Sequence, residues 1–252
     1  MARLPADRPA RHGHVRPRAV TRDLDTAGAP DAEEQPGRRL VVLRHGRTEW
    51  NAIGRGQGHA NIPLDDLGHA QAAAAAPYLA GLEPVALFTS DLARARETCT
   101  YVEKATGLSA VEDPRLREFD IGARQGLTMP EFAEKYPAEH AAWARGDGMT
   151  RLPGAEITPE VEERMRPALQ DALDAAGPGE TVVTVTHGAS LKIGVVALLG
   201  WPAELATSLQ GIDNCAWVTL EELTYGGRLR LTGYNESVTP GHTAPKRLPD
   251  EG

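Results

Sequence analysis

The sequence predicts an α/β fold in three layers: a largely parallel sheet with helices on both faces. Leu40-Val41-Val42-Leu43 and Thr181–Thr186 are short runs of apolar or β-branched residues, as strands buried on both faces require. Segments of helical length alternate with such runs, and that alternation implies parallel pairing. With 252 residues, 41% of them hydrophobic, the chain suffices for one substantial domain and is too short for two large ones.

Residues 1–37 are rich in Arg, Pro, Ala, Asp and Glu and show no apolar periodicity. Such a segment cannot bury enough surface to offset chain entropy, so a disordered tail is expected there. Arg11-His12-Gly13 and Asp23-Leu24-Asp25 in this tail resemble phosphate-chemistry motifs, but no apolar strand precedes either to hold it rigidly. The folded domain is expected over 38–236 and opens on the strand Leu40–Leu43. Asp65 is an N-cap for a helix through the alanines to Leu79. Val85–Thr89 reads as the second strand, and Asp91–Ala105 as a helix stopped by Gly107. Met129–Ala144 is expected to be helical with a break near Pro137. Ile157–Ala175 is a longer helix, ended by Gly177-Pro178-Gly179. Thr181–Thr186 is the clearest buried strand, and Ser190–Leu199 the helix after it. Cys215–Leu220 and Arg228–Leu231 close the sheet as a hairpin turning at Gly226-Gly227. From 237 to 252 the chain returns to polar, Pro-containing sequence, expected to form a loose tail.

Composition narrows the function classes. A net charge of −8 argues against a nucleic-acid partner, because phosphate backbones attract basic faces. Cys99 and Cys215 stand far apart and in no metal-binding pattern, so both are expected to be small core residues. No apolar stretch approaches the roughly 20 residues that span a bilayer, and no apolar segment follows the N-terminal arginines as a secretory signal requires. No membrane association and a cytoplasmic location are therefore expected.

Chemistry concentrates at two strand ends. Leu40–Leu43 runs into Arg44-His45-Gly46, and Thr181–Thr186 runs into His187-Gly188. Ligands of open α/β sheets bind beyond the carboxyl ends of the strands. A histidine there is expected to be exposed, with Gly46 or Gly188 letting backbone approach a ligand. Leu43-Arg44-His45-Gly46-Arg47-Thr48-Glu49-Trp50-Asn51, Ser90-Asp91-Leu92-Ala93-Arg94-Ala95-Arg96-Glu97-Thr98, Leu116-Arg117-Glu118 with Gly122 and Gln125-Gly126, and Thr186-His187-Gly188 follow in that order. Together they are similar to the motifs of the histidine phosphatase superfamily, over about Arg38 to Glu236.

That resemblance implies a phosphoglycerate-mutase-like α/β sandwich and a metal-independent phosphomonoester hydrolase without cofactor, acting on a small anionic phosphate ester. It implies His45 as the nucleophile that becomes phosphohistidine, and Glu118 as acid and then base. Arg44, Arg94 and a protonated His187 would hold the phosphoryl oxygens, where planar guanidinium forks suit the spread charge. Asn51, Gln57, Gly58 and Gly188 are the implied substrate-binding residues, with no metal ligands. A homodimer is a further expectation, because dimers are frequent in the family. The alternatives are a cofactor-dependent phosphoglycerate mutase and a non-catalytic phospho-ligand module. Asp120 and the absence of a lysine in Glu118–Gly126 weigh against the mutase, and retention of both histidines, both arginines and the acid weighs against the module. Within the superfamily, Arg55-Gly56-Gln57-Gly58, Gly211…Asn214…Trp217 and Arg228–Leu231…Tyr234-Asn235 are similar to segments of bacterial glucosyl-3-phosphoglycerate phosphatases. Arg47, where the family has an acid or amide, is expected to add positive charge near the mouth. His59, His69, His140 and His242 are expected at the surface, the Trp and Met residues in packing, and Glu156 has no role assigned.

Overall fold

The computed structural model describes residues 37–145, 152–223 and 227–238. Six strands form one sheet: β1 (Arg39–Arg44), β2 (Pro84–Thr89), β3 (Ala110–Glu112), β4 (Thr181–Thr186), β5 (Trp217–Glu222) and β6 (Leu229–Glu236). Their order across the sheet is β3-β2-β4-β1-β5-β6. The pairs β3/β2, β2/β4 and β4/β1 are parallel, whereas β5 and β6 are antiparallel additions at one edge. The expected largely parallel sheet is what forms.

Alternation along β1 divides the core in two. Leu40 and Val42 pack with residues of α6 (Thr158–Asp174) and α7 (Gly188–Leu198) on one face. Val41 and Leu43 pack with α2 (Asp66–Ala80) and α3 (Ala93–Thr106) on the other. Every residue of β4 is buried, because it lies mid-sheet between these layers. That arrangement is the three-layer sandwich.

The punctuation signals act as expected. Asp65 accepts the Gly68 N–H at the start of α2, and Gly107 ends α3 in the left-handed conformation at φ 76°. Tyr136-Pro137 separates α4 (Met129–Lys135) from α5 (Pro137–Ala144). Among the described residues five short elements carry no periodic signal and were not expected: β3, α1 (Glu49–Ala52), α8 (Leu205–Ser208) and the 3-10 turns Pro114–Leu116 and Gly122–Arg124. A few residues fix neither a helical nor a strand period; α1 forms on a capping box between Thr48 and Asn51.

Two boundaries move. β5 starts at Trp217 rather than Cys215, because Cys215 adopts φ 55° and sends its N–H to the carbonyls of Arg44 and His45. β6 runs on to Glu236 rather than ending near Leu231. Gly226 of the expected hairpin turn lies outside the described residues, as do the tails expected over 1–37 and 237–252 apart from Gly37, Ser237 and Val238, together with their two decoy motifs.

Candidate active site

Adjacent parallel strands deliver the two histidines to one place. In the β1/β4 register Arg44 faces Thr186, and the His45 N–H donates to the Thr186 carbonyl at 2.9 Å. The His45 and His187 rings stand 5.1 Å apart between centroids. β2, on the other side of β4, ends at Thr89; the next residue, Ser90, donates its N–H to the Val185 carbonyl, and the chain then turns into α3 with Arg94 in its first turn.

His45 is only 3% exposed, so the expectation of an exposed strand-end side chain is corrected. Its Nδ1 lies 2.6 Å from the Gly46 carbonyl oxygen, which can only accept. The proton therefore sits on Nδ1, and Nε2 carries a bare lone pair. Burial, reinforced by Arg94 and Arg44, holds this imidazole well below the ordinary histidine range, so it is neutral.

Arg94 is 1% exposed. Its Nε donates to His187 Nδ1 at 3.1 Å, and its Nη1 and Nη2 donate to the Ala60 and Gly58 carbonyls at 2.8 Å each. Burial lowers it to about 10, which leaves it charged at neutral pH. Arg44 donates from Nη1 to the Ile212 carbonyl, while its Nε is buried and has no hydrogen-bond partner. A guanidinium with an idle buried donor is a site awaiting an acceptor.

His187 differs from expectation. It is fully buried, accepts from Arg94 at Nδ1, and so places its proton on Nε2, 2.8 Å from Ser90 Oγ. Burial and the neighbouring Arg94 push it well below the usual value, so it is a neutral acceptor rather than a cation. For His187 to donate to a phosphate, its Nε2–H must first leave Ser90.

Glu118 closes the N-terminus of α7. Its Oε1 accepts from Ser190 N–H at 2.8 Å and Phe119 N–H at 3.0 Å, and its Oε2 accepts from Ala189 N–H at 3.0 Å. The segment carrying it is clamped by Arg164 of α6, which donates to the Arg115, Arg117 and Glu118 carbonyls and pairs with Glu156 at 2.8 Å. Glu156 in turn accepts the Asp120 N–H at 2.8 Å, which gives it a structural place in the clamp. His59, expected at the surface, is part-buried and its Nε2 bonds the Glu118 carbonyl at 2.8 Å.

One cavity of about 470 Å³ gathers Arg44, His45, Arg94 and Glu118. Asn51, Gln57 and Gly58 line it too. Asn51 Oδ1 is engaged by Thr48 and Asn214, so only its amide donors stay uncommitted. Gln57 Oε1 is buried without a partner. Gly58 adopts φ 50°, and a Cβ there would stand 2.7 Å from Ile121, so glycine is required by the turn. Gly188 does not line the cavity; a Cβ on it would meet the Arg44 guanidinium at 3.2 Å. Gly46 likewise serves packing, since its Cβ would stand 2.6 Å from the Gly68 carbonyl of α2.

Arg47 pairs with Asp65 at 2.8 Å, so the extra charge expected at the mouth is neutralised. Arg55, Arg124, Trp143 and Lys192 also line the cavity, and sequence reasoning assigned none of them a role in the site. Trp143, expected in packing, is 42% exposed. Both cysteines are buried and free, as expected. Among the described residues no three His, Cys, Asp or Glu side chains converge as a metal site requires, and no helix is long and apolar enough to cross a membrane.

The chain resembles known proteins in sequence and fold. A profile of the histidine phosphatase superfamily, branch 1, matches residues 40–236. Glucosyl-3-phosphoglycerate phosphatase of Mycolicibacterium vanbaalenii is 39% identical over 189 residues, covering 73% of this chain and 84% of that one. A probable phosphoglycerate mutase of Cronobacter sakazakii is 34% identical over 178 residues, 71% of this chain and 82% of its own. Among solved structures, a mycobacterial glucosyl-3-phosphoglycerate phosphatase complexed with VO3 superposes with a TM-score of 0.73 at 37% identity, covering 79% of this chain and all of that one.

Proposed function

The chain belongs to the histidine phosphatase superfamily and is a phosphoric monoester hydrolase, and on that premise we propose that His45, Arg44, Arg94 and Glu118 carry its chemistry on a glycosylated phosphoglycerate. The observation that carries the residue roles is the His45 ring. With Nδ1–H tied to Gly46, its free Nε2 lone pair shares one cavity with the buried Arg94 guanidinium, the half-buried Arg44 and a carboxyl.

The Nε2 lone pair attacks phosphorus, and the P–O bond to the alcohol breaks as the leaving oxygen takes a proton from Glu118. The positive phosphoimidazole ring keeps its Nδ1–H on the Gly46 carbonyl. Arg44, through its idle Nε, and Arg94 offset the charge on the phosphoryl oxygens. Water then attacks phosphorus and gives its proton to the Glu118 carboxylate. The P–N bond breaks, releasing inorganic phosphate and neutral His45. Proton delivery needs one Glu118 oxygen to leave its backbone partner; Oε2, held by Ala189 alone, is the one that can.

Three observations support a substrate larger than a bare phosphate. The M. vanbaalenii relative is named for glucosyl-3-phosphoglycerate. A cavity of about 470 Å³ falls in the range of about 300–1,000 Å³ that holds small organic ligands. The unpartnered Gln57 Oε1 in its wall suits a hydroxyl donor, which a sugar supplies.

The test is phosphate release in EDTA from glucosyl-3-phosphoglycerate, 3-phosphoglycerate and simple sugar phosphates, with wild type beside His45→Ala. Wild-type release with clear preference for the glycosylated ester, and none by the variant, is expected. Equal rates on all esters would remove the substrate assignment, and near-full activity of the variant would remove the covalent mechanism. No release, with isomerisation of 3-phosphoglycerate in the presence of 2,3-bisphosphoglycerate, would replace hydrolysis by the mutase reading.

A further inference from the structure

Among the described residues Arg124 is a cation without a counter-ion. It ends the short 3-10 turn Gly122–Arg124, six residues after Glu118, and lines the same cavity as His45. A guanidinium has five N–H donors. Here Nη2 meets the Met129 sulfur at 3.1 Å, a weak acceptor, and Nε is buried with no partner at all. Among the described residues no carboxylate stands within ion-pair distance of it. Burial alone acts on its charge, and lowers its pKa from the ordinary arginine value. Leaving a partly buried charge unpaired is costly, and a protein keeps such a group where a ligand completes it.

The surroundings fix where the guanidinium stands. Its centre lies 5.2 Å from the Phe132 ring and 5.7 Å from the Trp143 ring, so aromatic faces from α4 and α5 hold its plane without consuming its donors. The turn beneath it is pinned to the neighbouring loop, since Gly126 N–H donates to Gly56 and Gly56 N–H to Leu127, at 2.9 Å each. Arg55, which shares the cavity, differs in being paired with Glu131 at 3.2 Å.

We propose that Arg124 is the receptor for a second anionic group on the substrate, a carboxylate carried beside the phosphate ester. A planar fork presents two parallel N–H donors, which match the two oxygens of a carboxylate. The guanidinium carries one positive charge, which a carboxylate matches and a second phosphate dianion exceeds. This assignment rests on the phosphatase reading of the same cavity, and is independent of whether a sugar is attached.

The test uses two esters that differ only at one carbon. 3-Phosphoglycerate has a carboxylate where glycerol 3-phosphate has a hydroxymethyl group. Wild type is expected to show the lower KM on 3-phosphoglycerate. Arg124→Met is expected to raise that KM by about ten- to a hundred-fold, the loss of a charged hydrogen-bonded pair. Its kcat on 3-phosphoglycerate and both constants on glycerol 3-phosphate should stay within about two-fold. Arg124→Lys, which keeps charge and loses the fork, should fall between. Equal losses on both esters from Arg124→Met and Arg124→Lys would assign Arg124 to packing and overturn the proposal. Equal wild-type KM values for the two esters would also overturn it, while leaving the phosphatase reading intact. Release from neither ester nor from the glycosylated substrate would overturn both.

Discussion

At the scale of single residues, the proton on His45 decides the chemistry. The Gly46 carbonyl takes the Nδ1 proton, so the ring presents the bare Nε2 lone pair that the proposed nucleophile needs before substrate arrives. His45→Ala should lower kcat by on the order of 10³-fold or more, about 4 kcal/mol of barrier, as phosphate-release kinetics would measure. Because the ring is buried, the same change also removes packing, and a fall in denaturation midpoint should accompany the loss of rate. His45→Asn, closer in size, should separate the two by restoring stability without restoring turnover. Ser90 belongs to the same scale. Ser90→Ala removes the partner of His187 Nε2, and should weaken the set of bonds that orients Arg94.

At the scale of elements, the site depends on backbones that touch. A Cβ on Gly68, near the start of α2, would lie 2.0 Å from the Arg47 carbonyl, and one on Gly46 would meet Gly68 in return. Gly68→Ala should therefore destabilise the fold by about 1–3 kcal/mol in chemical denaturation, and shift the loop that carries His45. A second contact between elements is the clamp of α6 on the Glu118 segment. Arg164→Met takes the guanidinium away from the Arg115, Arg117 and Glu118 carbonyls and from Glu156, and should cost about 2–3 kcal/mol of stability. On the proposed role of Glu118 in proton transfer it should also lower kcat more than it changes KM; the reverse pattern would mean the clamp shapes the cavity instead.

At the scale of the whole molecule, two buried neutral histidines set the acid stability. Folded His45 and His187 both have pKa values well below 6.5. As pH falls below about 6.5, the unfolded chain binds protons there that the folded chain does not, so stability is present above that pH and lost below it. Each group contributes a slope of up to about 1.4 kcal/mol per pH unit in that window. Unfolding free energies at pH 7, 6 and 5 should fall accordingly, and His45→Asn should flatten the fall by about half. A flat profile in wild type would mean that both rings take up protons within the fold.

The strand runs, the caps at Asp65 and Gly107, the break at Pro137 and the Arg-His-Gly and His-Gly strand ends were legible locally, because burial period and turn chemistry act over a few residues. So were His45, Arg94 and Glu118, whose motif spacing carries them. Partnership was not legible. That Arg47 is neutralised by Asp65 while Arg124 meets no carboxylate among the described residues follows from which loops the sheet order brings side by side, and composition gives both the same letter. Nor could the charge of His187 be read from its motif, since it depends on the Arg94 donor arriving from another strand end. The sequence by itself determined the layers and the motifs that name the candidate groups; the tertiary structure alone decided protonation, pairing and the place of Arg124 in the cavity wall, because those depend on burial and on distances between residues far apart in the chain.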